Sequence, residues 1–138
     1  MNDASSLTGR RAVLVVDDDD RVRAVVRAVL EADDFDVAEA VDGPSALALL
    51  AADDWHPESG GRPNVLVLDV MMPGMDGIEV CRQIDHRTTK VLMLTAREDL
   101  ATRDASAAAG ADAFLAKPFS AVELLDAIER LSADEPST

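Results

Sequence analysis

Cysteine occurs once in the 138 residues. A lone thiol, Cys81, excludes an internal disulfide framework and fits a reducing cytosol. No apolar run approaches the roughly 20 residues that would span a bilayer. The polar stretch over residues 1–11 has no hydrophobic signal region. The expectation is therefore a soluble, cytoplasmic chain with no membrane attachment. Lysine is scarce as well: Lys90 and Lys117 are the only two, in a chain whose net charge is -14. A field of that sign repels nucleic acid and anionic lipid, so direct nucleic-acid binding by this domain is not expected. No Gly-rich phosphate loop follows the first apolar run, which argues against a nucleotide-binding protein. There is no internal repeat.

What is present suffices for one domain. Apolar residues make up 48% of the chain and charged residues 29%, an ordinary globular balance with enough apolar surface for a single core. The excess of acid either serves solubility or gathers carboxylates around a cation, and the positions of the acids decide which.

Apolar runs and helical stripes alternate along the chain. Residues 12–16 (AVLVV) read as a strand buried on both faces. Val22, Val25, Val26, Val29 and Leu30 then recur at helical spacing, with Arg21, Arg23 and Arg27 among them. A weaker strand is expected over 35–40. A turn at Asp42-Gly43-Pro44 opens a second helix, with Ala46, Leu47 and Leu50 facing inward. Residues 53–63, with Trp55 and His56, read as a loop that covers the end of that helix or meets a partner. A third strand over 64–68 ends at Asp69, and a short helix over 77–84 contains Cys81 as a small buried hydrophobe. A fourth strand over 91–94 ends at Thr95. An alanine-rich helix over 98–109 stops at Gly110. A fifth strand over 112–116 ends at Lys117-Pro118, and Val122, Leu125, Ile128 and Leu131 form a last stripe. Residues 1–10 and 132–138 are expected to be a flexible start and a polar tail or linker around a domain over 11–131.

Five strand–helix alternations call for a parallel sheet covered on both faces, with its ligand site at the carboxyl ends of the strands. Those ends carry Asp17, Asp18, Asp19 and Asp20, then Asp69, Thr95 and Lys117. Carboxylates packed together repel unless protonated or neutralised. A hard cation with oxygen ligands and open water positions, Mg²⁺, resolves this. Such a cation also offsets the repulsion between an anionic nucleophile and a phosphoryl group. A lysine and a hydroxyl beside them suit phosphate oxygens. Asp19 and Asp20 also favour the start of a helix through its dipole.

The stretches VLVVDDDD, VLVLDVMMPGMDG, VLMLTA and AFLAKPF, in this order and each at a strand end, closely resemble the receiver domains of two-component response regulators. The resemblance covers residues 11–131. It implies a flavodoxin-like doubly wound (βα)5 fold, a five-stranded parallel sheet with helices on both faces. It implies that Asp69 is the phosphoacceptor, supplied by a sensor histidine kinase or a histidine phosphotransfer protein. By the same resemblance Asp18 ligates Mg²⁺ directly, Asp17 acts mostly through water, and Met71 offers its backbone carbonyl. Thr95 matches the switch hydroxyl, Lys117 the lysine that pairs with the phosphoryl group, and Phe114 the aromatic residue that reorients on activation. Pro118 matches a proline that follows a cis peptide bond. The face of the fourth helix, fifth strand and fifth helix would meet the downstream partner or effector domain.

The chain departs from the family in its spacings. The stretch between Asp18 and Asp69 is longer than expected and that between Asp69 and Thr95 shorter; neither change touches a motif. Within the subfamily with winged-helix outputs, Arg103 and Asp112 match two members of a dimer salt-bridge set. Ala113 and Ala127 stand where two others belong, so the resemblance leaves the dimer mode open. Met71 and Arg97 flank the expected path of an attacking water; Met71 is bulky and offers no useful hydrogen bond, and Arg97 has no acceptor to orient it, which implies a long-lived phosphorylated state. Two alternatives stand beside this reading. A phosphatase of the haloacid-dehalogenase type needs a general acid two residues after its nucleophile, where this chain has Met71. A degenerate receiver that only binds partners would not need Asp18, Asp69, Thr95 and Lys117 all intact.

Overall fold

The computed structural model describes residues 11–51, 63–96 and 100–133. Their elements alternate as β1 (Ala12–Val16), α1 (Asp20–Ala32), β2 (Asp36–Ala40), α2 (Gly43–Ala51), β3 (Val65–Asp69), α3 (Gly77–Gln83), β4 (Lys90–Thr95), α4 (Leu100–Ala109), β5 (Ala113–Ala116) and α5 (Ala121–Ala133). The strands form one parallel sheet in the order β2-β1-β3-β4-β5. This is the doubly wound, flavodoxin-like fold expected above. The boundaries differ from expectation by a residue or two, as helix and strand ends commonly do. Trp55, His56 and most of the 53–63 loop lie outside the described residues, as does the beginning of the alanine-rich helix.

Alternation of side chains along each strand divides the core in two. Leu14, Val16, Leu66, Leu68, Val91 and Met93 point to one face, where α2 and α3 bring Ala46, Val80 and Cys81. Val13, Val15, Val65, Val67, Leu92 and Leu94 point to the other, where α1 and α5 bring Val26, Leu30, Leu124 and Ile128. Both faces of the central strands are thus dry, and each fully buried aliphatic side chain contributes about 1.5–3 kcal/mol of apolar burial.

Two helical stripes sit differently from the pattern in the sequence. Val25 is 54% exposed and Val122 76% exposed. Val122 lies in the first turn of α5, where the helix has not yet closed on the sheet, and Leu124 fills the buried position instead. The stripe of α5 therefore runs Leu124, Leu125, Ile128, Leu131. The start of α5 is fixed by a reciprocal cap: Ser120 N donates to Glu123 Oε1 (2.9 Å) and Glu123 N to Ser120 Oγ (3.0 Å). Such a capping box satisfies two otherwise orphaned donors. On α1 the cap is Asp19, whose carboxylate accepts from Arg21 N at 2.8 Å, while Asp20 is already helical.

Candidate functional site

The register of the sheet brings the strand-end residues together. Val16 pairs with Leu68, so Asp17 and Asp69 follow in phase on neighbouring strands. Asp69 pairs with Leu94 and Thr95 with Ala116, so Thr95 and Lys117 each stand one step further along. The chain reverses its direction of travel across the sheet between β1 and β3, and a crevice opens outside the strand ends at such a switch point. The acids lie in that crevice.

Asp17 is fully buried and Asp69 nearly so, whereas Asp18 is exposed. One carboxylate oxygen from each of the three lies within 4.8 Å of the others. Lys117 Nζ bridges the two buried acids, at 3.0 Å from Asp17 Oδ2 and 3.3 Å from Asp69 Oδ1. Asp17 Oδ1 accepts from Asp19 N at 2.9 Å, and Asp69 Oδ1 from Met71 N at 3.3 Å. Burial, followed by the negative charge of Asp17, pushes the Asp69 carboxyl up from its ordinary 3.8 to about 6, against the pull of Lys117. Burial opposes the charge on Lys117. Its hydrogen bond to Asp17 and the nearby charges of Asp69 and Asp17 outweigh that, and hold the ammonium above its ordinary value.

The loop after Asp69 turns back sharply, and glycine is required where it does. Gly77 N donates to Val70 O at 2.9 Å. A Cβ on Gly77 would lie 2.3 Å from the Asp69 carbonyl oxygen, so any larger residue would displace the strand end that carries the carboxylate.

Thr95 is buried at the end of β4, and its carbonyl accepts from Lys117 N at 2.9 Å. Phe114 is half-buried on β5. The Arg103 guanidinium stacks over its ring, 5.0 Å from the centroid. A small cavity of about 70 Å³ lies between Thr95, Arg103, Phe114 and Ala116. Asp112 is exposed, and its carboxylate accepts from Val91 N at 2.8 Å. The Lys117–Pro118 peptide is cis. Met71 is exposed at the rim of the crevice, and Arg97 lies outside the described residues.

The donor set fits Mg²⁺: three hard carboxylate oxygens, one on an exposed residue that leaves room for water. Octahedral ligands at 2.0–2.1 Å stand about 2.9 Å apart when adjacent and about 4.2 Å apart when opposite, so oxygens within 4.8 Å of one another must draw together around a shared ion.

One polar residue at this end of the sheet was not singled out in the sequence. Arg23, on α1, is 8% exposed. It donates through Nε to Glu39 Oε1 (2.9 Å), through Nη1 to the Asp17 carbonyl oxygen (2.6 Å), and through Nη2 to Asp20. The signal was available, since Arg23 shares the helix face of Val26 and Leu30, at spacings of three and seven.

A flavodoxin-like sheet with a carboxylate cluster at the β1–β3 switch point defines the class of CheY-like receiver modules. The response regulator receiver domain model matches residues 13–129. The response regulator MprA of Mycobacterium avium is 47% identical over 117 residues, covering 82% of this chain and 47% of its own length. Among solved structures, the chemotaxis protein CheY4 of Vibrio cholerae has a TM-score of 0.76 at 31% identity, covering 88% of this chain and 98% of its own. A putative response regulator from Chloroflexus aurantiacus reaches a TM-score of 0.77 at 32% identity, covering 90% and 98%. The chain belongs to the receiver domain family of two-component response regulators. It spans about half the length of the curated relatives it matches, which are 46–47% covered. Among the described residues, no helix is long and apolar enough to cross a membrane.

Proposed function

We propose that Asp69 accepts the phosphoryl group and that residues 11–131 act as a switch with no separate substrate to turn over. The observation that carries this is the placement of the Asp69 carboxylate. It ends a buried strand, within 4.8 Å of two further acids and 3.3 Å from Lys117. An Asp69 oxygen attacks phosphorus in line. The bond from phosphorus to a histidine nitrogen of the donor breaks, and that nitrogen leaves with the electron pair. Bound Mg²⁺ would neutralise charge on the transferring group. Asp18, Asp69 and the Met71 carbonyl would hold it directly, and Asp17 through water. Lys117 would pair with the phosphoryl oxygens and Thr95 would hydrogen-bond them. Incubation with a small phosphodonor and Mg²⁺, followed by intact-mass measurement, tests the assignment: one added phosphoryl group per chain supports it and none overturns it.

The acid pair has its own test. Asp18→Ala removes a direct hard ligand and is expected to weaken Mg²⁺ binding on the order of 10-fold or more. Metal titration with unchanged affinity would refute that role.

In the phosphorylated state Thr95 moves toward the phosphate and Phe114 swings inward, and the small cavity between them supplies room for part of that motion. The output surface is then α4, β5 and α5, where Phe114, Leu115, Ala127 and Leu131 line a shallow groove of about 460 Å³. The setting that goes with this reading is the cytoplasm, where Cys81 stays a thiol.

The lifetime of the acyl phosphate is expected to be long, because Met71 offers an attacking water no useful hydrogen bond and an arginine such as Arg97 has no acceptor. The phosphoprotein should decay slowly, and exchange of Met71 for Asn with Arg97 for Glu should speed the decay. Rapid loss in the unaltered protein, or no acceleration in the double variant, defeats the proposal.

A further inference from the structure

The buried arginine of α1 has a use beyond packing. A buried guanidinium must be paired, and Arg23 is paired to three separate parts of the site's frame. Glu39 belongs to β2, the Asp17 carbonyl to the end of β1, and Asp20 to the first turn of α1. Glu39 is itself held by Arg27, whose Nη1 donates to Glu39 Oε2 at 2.6 Å, and Arg27 Nε donates to Glu31 Oε2 at 3.0 Å. The anchor is therefore a braced carboxylate on the edge strand.

The contact with Asp17 is the informative one. Its carbonyl and the N–H of Asp18 belong to one rigid peptide plane. A hydrogen bond at 2.6 Å to that carbonyl fixes the plane from which both acid side chains depart. Asp17 has further restraints on its carboxylate, from Asp19 N and Lys117 Nζ. Asp18 is exposed, so the direction in which it leaves the backbone decides where its oxygens stand. We infer that Arg23 is a positioning residue for the acid pair: its planar fork fixes the Asp17–Asp18 peptide and thereby sets the affinity for Mg²⁺, without touching the ion or the phosphoryl group. This rests on the metal-site reading above.

Charge alone would act in the opposite direction. A guanidinium near the site repels a cation, and its removal would tighten binding. Glu39 and Asp20 already neutralise Arg23, so geometry prevails. Lysine cannot replace it, because a point charge does not reach three acceptors in a fixed fork.

The test titrates Mg²⁺ into the full chain by calorimetry, with no phosphodonor present, for the unaltered protein and for Arg23→Gln and Arg23→Lys. Both variants are expected to bind on the order of 10-fold more weakly, the scale for groups that orient metal ligands. Their labelling by a small phosphodonor should recover as Mg²⁺ is raised to saturation. A lowered melting temperature with unchanged affinity would make Arg23 a packing residue only, and tighter binding in Arg23→Gln would make it a charge; either overturns the inference. Glu39→Asp keeps the charge and withdraws the anchor, and should weaken binding in the same direction. If the Arg23 variants do not fold, unchanged affinity in Glu39→Asp overturns the inference instead. Failure of the unaltered protein to bind Mg²⁺ at all would overturn the metal-site reading itself.

Discussion

Replacing Asp69 by Asn should abolish phosphoryl transfer and, in the absence of metal, make the protein more stable. The first effect follows because an amide is no nucleophile. The second follows from the environment of the carboxylate. Its folded-state value, about 6, lies above its ordinary 3.8, so the folded protein holds this proton more tightly than the unfolded chain does. The stabilisation that results is fully present below pH 4 and is lost as pH rises through about 6. Near neutral pH the charged carboxylate then costs the native state about 3 kcal/mol. Asn carries no such charge. Chemical denaturation with a chelator present should show Asp69→Asn equal to the unaltered protein near pH 4 and more stable at pH 7.5. Mg²⁺ should stabilise only the unaltered protein substantially. Undiminished labelling of the variant sinks the assignment of Asp69, and identical stability profiles across pH sink the account of its carboxyl.

Loss of Lys117 should separate labelling from response. Lys117→Ala leaves two buried carboxylates side by side without their cation, and breaking such a buried pair costs about 3 kcal/mol. Urea unfolding without metal should show this loss, and Mg²⁺ should recover part of it. Phosphorylation should persist, because Asp69 and the metal ligands remain. The response should fail, because the phosphate no longer has a contact that reaches β5. Amide exchange over residues 113–116, with and without a small phosphodonor, reads this directly. A normal phosphorylation-linked change there in Lys117→Ala would refute the role.

The strand-end residues were legible in the sequence because each stands where an apolar run stops. Asp17, Asp69, Thr95 and Lys117 need only the topology of a parallel sheet to become neighbours, and five alternations gave that topology. Arg23 was harder to see. It lies among Arg21 and Arg27, and an arginine in an amphipathic helix ordinarily faces water. Its burial depends on Glu39 from another element, a pairing that no local pattern contains. The ring stacking of Arg103 on Phe114 and the bond from Val91 N to the Asp112 carboxylate are of the same kind. The resemblance sets both residues in an intermolecular salt-bridge set, whereas here each has a partner within its own chain. The misplaced Val122 had a local remedy, since Ser120 and Glu123 already spell a capping box that marks where α5 begins.

The sheet order has a mechanical consequence. The acids that would carry the load end β1 and β3, strands clamped on both sides and sealed on both faces. Lys117 follows β5, one of the two edge strands, hydrogen-bonded to a neighbour on one side only and half-buried along its whole length. When a body of uneven stiffness is loaded at a junction between its firm and soft parts, the soft part moves. A phosphate pulling on Thr95 and Lys117 would therefore leave the centre of the sheet in place and displace its margin. The strand most free to yield is also the one that bears Phe114, beside the surface where a partner would read the change.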